Sequence, residues 1–522
     1  MSNANTSWAR LPPELRNEVL SILSGLHGAK YSQLGTISRE WHSFFETLIF
    51  AEISLTPSRL FDPNSTALLF RKRSLIRYVW FRVELERYHC YKCPLEVEEN
   101  GNDEDEDEDV DVDVFGESPA DDNLIVYAFQ SLAAALNTWE PRSHLVLDIS
   151  VYSPSDALHC FKYLSFRPDT HIGVCSSLLQ RSSGDDQQGI TTIHDPPHGW
   201  VAGRQTAAPH ERSIYNSFDE IMSQASFLDE EQEIRWWRLM PLMPAVTAVL
   251  LRQQTRRQWW PATLANILTR FPNMTKLCYE PWREWSQSQQ LNDQLTQQFI
   301  DSLRKTKLSK LTIFENFNEA YTESFPSCPA IRVPSPVVSH KLASASVQLT
   351  ELSASFKVNA SCFFWASKRL SLEWANLTRL ALTARALTGD EDFESINSML
   401  RNAAGAALKM PKLEMMELWN GRQGVAMLFR YQKARDGQSA VITVRGTYEL
   451  ALGSAVTEAW EAVALRHRHG RVVIQSSLIN PDVIRSHGDA IRQLGLSVEV
   501  IRPVSLQQII EERQIREGLT KG

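Results

Sequence analysis

The chain has 522 residues, of which 43% are hydrophobic and 22% are charged. This composition is that of an ordinary globular protein with room for a large core. The N-terminal residues before Trp8 are polar, and the longest apolar run, Leu239–Leu251, contains two prolines and is too short to span a bilayer. Seven scattered cysteines indicate reduced thiols. We therefore expect no membrane association, and a location in the cytoplasm, the nucleus or both.

The net charge of −8 comes from one short stretch. Residues Glu96–Glu117 include 13 acidic side chains and no lysine or arginine, out of 62 acidic and 54 basic residues in the whole chain. Without this stretch, 49 acidic residues face 54 basic ones, so the remainder is slightly basic. A run of like charges repels itself and has no apolar face to bury. Residues 95–122 are therefore predicted to form a disordered acidic loop.

The first fifty residues predict two amphipathic helices. The run Leu11-Pro12-Pro13-Glu14-Leu15 is typical of a helix start, because proline suits the first turn and Glu14 complements the helix dipole. Apolar residues then recur at helical spacing, first at Leu15, Val19, Ile22, Leu23 and Leu26, and again at Ile37, Trp41, Phe44, Phe45 and Leu48. Each stripe is wider than a short helical hairpin can bury alone, so a partner surface is expected.

These residues resemble an F-box, the helical motif by which substrate receptors bind the Skp-type adaptor of cullin-based SCF ubiquitin ligases. The resemblance rests on Leu11-Pro12-Pro13-Glu14-Leu15 and on Ile37-Ser38-Arg39-Glu40-Trp41, where Ser38 replaces the cysteine common in the family. It implies a three-helix domain over residues 8–55 and adaptor contacts through Leu11, Pro12, Pro13, Leu15, Val19, Ile22, Leu23, Ile37 and Trp41. The alternative is an ordinary helical hairpin packed on the following domain.

A second pattern, apolar residues at the first, fourth and sixth positions, is typical of leucine-rich solenoid strands. It occurs at Val246-Val249-Leu251, Met274-Leu277-Tyr279, Leu308-Leu311-Ile313, Leu377-Leu380-Leu382 and Leu413-Met416-Leu418, with a weaker copy at Leu349-Leu352-Ala354 and earlier copies at Ile76-Val79-Phe81 and Val146-Ile149-Val151. Successive first positions from Val246 are 28, 34, 41, 28 and 36 residues apart. Helical stretches such as Leu291–Leu303 and Phe393–Leu408 lie between them. We predict an α/β fold, an irregular leucine-rich-repeat-like solenoid over residues 123–430, joined to the F-box by a connecting helix and strand region at 56–94.

Residues 431–522 continue the alternation of strands and helices. We predict strands at Ala440–Val444, Arg471–Ile474 and Leu496–Ile501, and helices over 454–469, from Asn480 and from Ser505. This β-α-β-α-β-α segment is expected to extend one curved parallel sheet with helices on its outer side. A separate compact α/β domain after Leu418 is the alternative.

Motifs for catalysis or cofactor binding are missing from the sequence. The chain has no glycine-rich phosphate loop, no Gly-x-Ser-x-Gly elbow and no His-Glu-x-x-His pair. Cys90 and Cys93 lack a second closely spaced pair, which a structural zinc site would need. His467 and His469 lie before Gly470, where cations suit a helix end. We therefore expect a protein that is not an enzyme, with no cofactor and no metal.

Six of the 15 tryptophans lie between Arg235 and Trp285, interleaved with arginines. Such a belt can form a stacking platform for single-stranded nucleic acid. The competing interpretation is that the rings fill the core while arginines stack on them. We favour the core, because the slightly basic remainder of the chain carries too little charge to track a phosphate backbone.

The region Met240–Trp285 resembles uncharacterised F-box proteins of filamentous fungi, which pair an N-terminal F-box with a long leucine-rich-like region. The sequence therefore predicts a substrate-recognition subunit of an SCF-type ligase, whose partners are the Skp-type adaptor, through it the cullin, and a protein target. The alternatives are a solenoid scaffold outside any ligase and an RNA-binding protein. Residues between the apolar positions of the strands should face the concave side and bind the target, namely Arg252, Lys276, Lys310 and Arg379, with Phe314 and Trp419 beside them as aromatic candidates.

Overall fold

The computed structural model describes residues 8–517 except 27–29, 89–118, 142–143, 170–192, 223–226, 228, 286–288, 326–327, 330 and 435–438. The strands are β1 Glu52–Leu55, β2 Tyr78–Glu84, β3 Leu145–Tyr152, β4 Trp200–Val201, β5 Arg204–Gln205, β6 Glu220–Ile221, β7 Val246–Leu251, β8 Gln258–Trp259, β9 Lys276–Tyr279, β10 Lys310–Phe314, β11 Glu351–Ser355, β12 Arg379–Thr383, β13 Met415–Arg422, β14 Val425–Gln432, β15 Ala440–Gly446 and β16 Val472–Leu478. Twelve of them form one large, mostly parallel sheet in the order β1-β2-β3-β7-β9-β10-β11-β12-β13-β14-β15-β16.

The helices connect these strands. They are α1 Pro13–Ser24, α2 Tyr31–Leu34, α3 Arg39–Ala51, α4 Pro57–Phe61, α5 Pro63–Lys72, α6 Pro119–Leu136, α7 Glu211–Phe218, α8 Glu230–Leu239, α9 Pro261–Leu268, α10 Gln289–Leu303, α11 Pro336–Ala345, α12 Ala360–Arg369, α13 Phe393–Ala407, α14 Ser454–Arg466, α15 His487–Leu494 and α16 Pro503–Glu517. In the described ranges, none combines the length and apolar character needed to cross a membrane.

The repeated apolar pattern marks the strands, as predicted. All eight copies found in the sequence overlap strands, from β2 to β13. Their shared positions lie in register across neighbouring parallel strands, as in the row Leu277, Leu311, Leu352, Leu380 and Met416. One side chain of each strand thus packs beside its counterpart in the next strand, so the repeated pattern forms a continuous apolar row across the sheet.

Helices α9 to α14 pack side by side in chain order on one face of this sheet. The aligned strand positions and the inner faces of these helices form one large apolar cluster, which includes the fully buried Trp374 and Trp460. Most of the hydrophobic stabilisation of the fold is expected from this layer, since burial free energy scales with apolar area.

The C-terminal part departs from the predicted continuous parallel sheet. A strand that we did not predict, β14, forms a hairpin with β13 through a turn at Gly424, and it pairs antiparallel with both β13 and β15. The predictions of β15, α14, β16 and α16 are confirmed, but residues 496–501 are irregular rather than a strand, and Asn480 caps only a single helical turn, Pro481–Val483.

Residues 479–517, the C-terminal cover, fold back onto the sheet face opposite the α9–α14 layer. Apolar residues of α15, of the segment after it and of α16 pack on Phe314, Ala381 and Trp419. Backbone amides of Ser497 and Val498 donate to the buried Glu417 carboxylate at 2.8 and 2.9 Å. The face that we expected to be open is therefore filled by the chain itself. The acidic stretch Glu96–Glu117 and the Cys90–Cys93 pair lie outside the described residues. The predicted loop 95–122 is too long at its end, because α6 begins at Pro119.

Mild acid is expected to destabilise the C-terminal cover through His487. Its ring stacks on Phe317, with ring centroids 4.2 Å apart, and its Nε2 lies 2.9 Å from Asn316 Oδ1. Burial lowers the pKa of His487 to about 3, whereas an unfolded histidine titrates near ~6.5. Below about pH 6.5 His487 therefore binds a proton in the unfolded chain but not in the folded one. Protonation of the unfolded chain should lower the free energy of unfolding by roughly 2 kcal/mol at about pH 5.

The measurement is denaturant unfolding near neutral pH and at about pH 5, on the native chain and on His487→Gln. Carboxylates titrate in the same range in both proteins, so the comparison isolates the histidine. The variant should lose less stability on acidification than the native chain. Identical losses would show that His487 is accessible to protons in the folded state.

Candidate functional site

The N-terminal helices carry an exposed apolar face. Leu20 and Phe45 are fully buried and anchor α1 and α3. Six large apolar side chains of this region are between 37% and 60% exposed, namely Leu11, Leu15, Val19, Ile22, Leu26 and Ile37. Leu15, Val19 and Ile22 lie on α1, Leu11 precedes it, Leu26 follows it, and Ile37 lies between α2 and α3. Single exposed leucines are normal on a protein surface, but three large apolar residues exposed on one short helix indicate an interaction surface. We name these six residues the α1 face.

Local interactions hold the α1 face in place. Pro12 and Pro13 begin α1, as predicted, and Ser38 caps α3 by accepting from Trp41 N at 3.3 Å. Glu40 on α3 accepts from Arg16 of α1 at 2.9 Å and from the indole of Trp8 at 2.7 Å. These bonds fix the angle between α1 and α3, so the exposed side chains belong to a folded unit.

The predicted adaptor-binding residues divide into two groups. Leu11, Pro12, Pro13, Leu15, Val19, Ile22 and Ile37 are exposed, whereas Leu23 and Trp41 are half-buried. The ring of Trp41 packs between Trp8 and Phe45, at centroid distances of 5.4 and 6.0 Å. Trp41 therefore contributes to the packing of the helices, and the first group supplies the accessible surface.

The predicted target-binding surface is wrong in its central part. Arg252, Phe314 and Trp419 are buried. The C-terminal cover packs on Phe314 and Trp419, and the guanidinium of Arg252 bonds with Asp148 and with the backbone carbonyl of Arg167. Lys276 is half-buried, and Lys310 and Arg379 are exposed. Each is the first residue of its strand, so the three lie at the amino ends of the parallel strands. The six residues therefore do not form one surface.

Arg252 is part of a buried charge network. Its guanidinium pairs with Asp148 of β3 at 2.7 Å, and Asp148 also accepts from the Tyr78 hydroxyl. Next to this pair, Arg502 of the C-terminal cover forms an ion pair with Asp169. A buried cation is tolerated only when it is paired and hydrogen-bonded. The arrangement is structural, and it ties the C-terminal cover to the first half of the sheet.

The tryptophan belt is core. Trp237, Trp259, Trp282 and Trp285 are buried, and Trp236 and Trp260 are half-buried. The guanidinium of the fully buried Arg256 lies 4.7 Å from the ring of Trp282 and pairs with Glu512 of the C-terminal cover at 3.7 Å. The core interpretation is confirmed for the four buried rings, and the half-buried Trp236 packs against the same apolar core as Trp237 and Trp259.

A cavity of about 220 Å³ opens at the carboxyl ends of β10, β11, β12 and β13. Phe317, Ile331, Phe356 and Val358 form its apolar wall. Ligands of α/β proteins commonly bind at this edge of a parallel sheet, because the loops after the strands converge there. The cavity is therefore the second candidate site.

Five buried ionisable groups lie in or beside the floor of this cavity. Arg332 pairs with Asp293 at 2.6 Å and with Glu315 at 3.0 Å, and Lys357 pairs with Glu315 at 3.2 Å. Arg283 lines the same floor, where burial lowers the pKa of its guanidinium. Burial also opposes the charge on Arg332, but Glu315 and Asp293 raise its pKa above the ordinary value. These five groups comprise three cations and two carboxylates.

Cations and carboxylates also share the rim of the cavity. The exposed Arg385 follows β12, and the structure gives it no ion-pair partner among the residues it describes. Arg422 lies 4.0 Å from the exposed Asp390, a pair that contributes little in solvent. Glu319 and Glu391 complete the charged lining. Among the described residues, no group of three or more His, Cys, Asp and Glu side chains is placed to hold a metal ion.

Sequence reasoning missed this cavity. Its lining comes from the residues just after each strand, which carry no periodic pattern, and from Arg283 and Arg332, which lie in the connections. A usable signal was present, because charged residues lie at the carboxyl ends of three strands: Glu315 directly after β10, Arg385 two residues after β12, and Arg422 at the end of β13. A comparison of the residues at the carboxyl ends of the predicted parallel strands would have indicated a charged site at this edge of the sheet.

Residues 302–502 match the family model DUF6546, a family of unknown function. The match covers less than half of the chain. It includes the strands around the cavity and part of the C-terminal cover, and it excludes the N-terminal helices. No curated protein and no solved structure matches the chain.

Proposed function

We propose that this chain is a substrate-recognition subunit of an SCF-type cullin ubiquitin ligase. In this proposal the α1 face binds the Skp-type adaptor, and through it the cullin, while the α/β body binds a protein target. The chain itself then needs no catalytic residues, because holding a target near the ubiquitin-transfer machinery raises its effective concentration there.

The single observation that carries the proposal is the α1 face. Six large apolar side chains remain exposed on a helical unit that the buried Leu20 and Phe45 anchor. Exposing them to water is unfavourable, and a partner helix or groove that covers them would recover roughly 25 cal/mol per Å² of apolar area. The same residues carry the F-box resemblance, so the chemistry and the motif point to one kind of partner.

The body supplies a rigid platform of the kind that a receptor needs. Helices pack on one face of the mostly parallel sheet, and the C-terminal cover packs on β10, β12, β13 and β14 on the other. Its accessible features are therefore its edges and loops, in particular the cavity at the carboxyl ends of β10–β13. Recognition residues commonly lie on loops that a rigid scaffold holds in position.

The test is capture by a purified Skp-type adaptor. Replacing Ile22 with Asp places a charge in the middle of the α1 face. The double substitution Leu11→Ala and Pro12→Ala removes apolar surface just before α1. Truncating a hot-spot residue in a desolvated interface costs about 2–4 kcal/mol, so both variants should lose most adaptor binding in a titration. Circular dichroism should stay unchanged, because these residues are exposed.

Leu465 provides a matched control. It is 80% exposed on α14, remote in sequence from the α1 face, so Leu465→Asp should bind the adaptor like the native chain. If the native chain does not bind adaptor, or if the α1-face variants bind as well as the native chain, the ligase assignment fails. Co-purification of other proteins without adaptor and cullin would then favour a scaffold outside any ligase.

A further inference from the structure

One edge of the sheet, where β10 to β13, β15 and β16 begin, is strongly basic. We name it the amino edge and define it as the described residues that lead into these six strands. They run from the last turn of the preceding helix, or from the end of β14, to the first residue of the strand. They include 13 cations, namely Arg304, Lys305, Lys307, Lys310, Lys368, Arg369, Arg379, Lys409, Lys412, Lys433, Arg466, Arg468 and Arg471. The carboxylates among them are Asp301, Glu351, Glu373 and Glu414.

The sheet topology brings these residues together. The strands β10 to β13 are parallel, β14 is antiparallel to both β13 and β15, and β16 is parallel to β15. The six strands of the amino edge therefore all begin on the same side of the sheet. Neighbouring strands lie about 4.8 Å apart, so the seven adjacent strands from β10 to β16 extend the amino edge over about 30 Å.

The charges of the amino edge are mostly uncompensated. All of its cations except the half-buried Lys409 are exposed. Lys310 pairs with Glu351 at 2.8 Å, while Asp301 pairs with Lys341 of α11, which lies outside the amino edge. The other cations of the amino edge form no ion pair in the described part of the chain. They therefore keep their charge available to a partner.

Helix capping explains only part of this excess. The helices α10 to α14 end at the amino edge, and a cation there complements the partial negative charge of a helix C-terminus, about half a unit for each helix. Five helix ends would offset about 2.5 positive charges. The cations of the amino edge exceed its carboxylates by nine, so most of the excess has another cause.

The opposite edge has the opposite sign. We name it the carboxyl edge and count from the last residue of β10, β11, β12, β13 and β15 to the first turn of the next helix or to the start of β14. Its cations are Arg332, Lys357, Arg385 and Arg422, and its carboxylates are Glu315, Glu319, Glu323, Asp390, Glu391, Asp392, Glu394 and Glu449. The small net charge of the chain outside the acidic stretch therefore conceals a separation of charge between the two edges.

The density of cations indicates the kind of partner. The amino edge carries 12 exposed cations over about 30 Å, or one for about every 2.5 Å. An extended peptide made only of acidic residues offers one charge for about every 3.3 Å, whereas duplex DNA carries one for about every 1.7 Å. The amino edge can thus be neutralised by a duplex but not by a single acidic strand.

The side chains of the amino edge also distinguish a duplex from a single strand. Its aromatic residues are Trp374 and His469, which are buried, and His467, which is half-buried. Proteins that bind single strands stack the bases on exposed aromatic rings. A duplex keeps its bases stacked inside and presents its phosphates outward, so lysine and arginine alone can bind it.

We propose that the amino edge binds duplex nucleic acid through its phosphates and without sequence preference. The exposed lysines and arginines of the helix-to-strand connections contact the backbone, and about 30 Å corresponds to about nine base pairs. This site is separate from the α1 face and from the cavity, and it does not depend on the ligase role.

The probes are fluorescein-labelled duplexes of DNA and of RNA, each about 24 base pairs long and made in two unrelated sequences. Binding to the full chain is measured by fluorescence anisotropy between about 50 and 300 mM NaCl. The logarithm of the affinity should fall with the logarithm of the salt concentration with a slope of about −4.5 or steeper, because each neutralised phosphate contributes about −0.9. The two sequences should bind alike, and the DNA and RNA arms identify the preferred duplex.

A fourfold variant connects the binding to the amino edge. The substitutions Lys305→Gln, Arg369→Gln, Arg468→Gln and Arg471→Gln should weaken binding about tenfold or more and make the slope shallower by about 3 to 4. The matched control removes the same charge from exposed arginines elsewhere, with Arg204→Gln, Arg238→Gln, Arg385→Gln and Arg492→Gln. It should bind within about threefold of the native chain, because charges beyond about 8 Å are screened at physiological salt.

Equal losses in the two fourfold variants overturn the proposal, as does a slope shallower than about −2 for the native chain. Absence of binding to both duplexes overturns it as well. A fluorescein-labelled polyglutamate peptide and vesicles of phosphatidylserine and phosphatidylcholine are titrated in parallel. If either binds the native chain as tightly as the preferred duplex does, and loses that binding in the amino-edge variant, the partner is an acidic protein or a membrane surface and not a nucleic acid.

Discussion

Replacing Trp419 with Ala is expected to lower the free energy of unfolding by about 3–5 kcal/mol, the range for removing a buried large aromatic side chain. Trp419 is fully buried on β13, 5.3 Å from the ring of Phe356, and it belongs to the cluster that joins the sheet to the C-terminal cover. Truncation would leave a cavity between the two layers. Denaturant unfolding monitored by circular dichroism gives the change.

Trp365 is the matched control for this prediction. It is 46% exposed on α12, where it stacks on His340, so Trp365→Ala should change stability by no more than about 1 kcal/mol. If Trp419→Ala is equally mild and instead removes co-purifying proteins, the C-terminal cover is open in solution. Trp419 would then be a binding residue after all.

Asp148→Ala is expected to cost about 3–5 kcal/mol, because removing one partner of a buried ion pair leaves the other charge uncompensated. Asp148 is fully buried and pairs with the equally buried Arg252, whose Nε lies 2.9 Å from its carboxylate. The Tyr78 hydroxyl loses its acceptor in the same variant. The measurement is again denaturant unfolding.

Two further variants separate the loss of charge from the loss of packing. The double change Asp148→Leu and Arg252→Met removes both charges and should recover part of the stability. Glu394→Ala breaks the exposed pair that Glu394 forms with Arg401, and it should cost no more than about 1 kcal/mol. A loss as small for Asp148→Ala as for Glu394→Ala would mean that water reaches the Asp148–Arg252 pair.

Local sequence was sufficient for most of the secondary structure. The apolar triplets located eight strands, and Pro13 located the start of α1. His467 at the end of α14, followed by Gly470 with its positive φ, was likewise found from the sequence. These features depend on neighbours within a few residues, since they reflect helix or strand periodicity and the capping of backbone groups.

The unpredicted strand β14 shows where local reasoning failed. Its run Val425–Gln432 follows β13 after only two residues, so it can pair with β13 only as an antiparallel hairpin. We expected every connection to be a crossover, because every earlier connection between strands of the large sheet is long enough for one. The turn at Gly424 was the signal for the hairpin.

The sequence by itself determined the strand and helix positions, and it determined which strand residues alternate between the two faces of the sheet. Only the tertiary structure decided what covers each face. Phe314 and Trp419 were placed correctly on the face away from the helices, but whether that face meets solvent depends on the C-terminal cover, which folds back from beyond residue 478. The α1 face differs because no described part of the chain covers it. Periodicity fixes the direction of a side chain, whereas burial depends on contacts between distant segments, which no local pattern encodes.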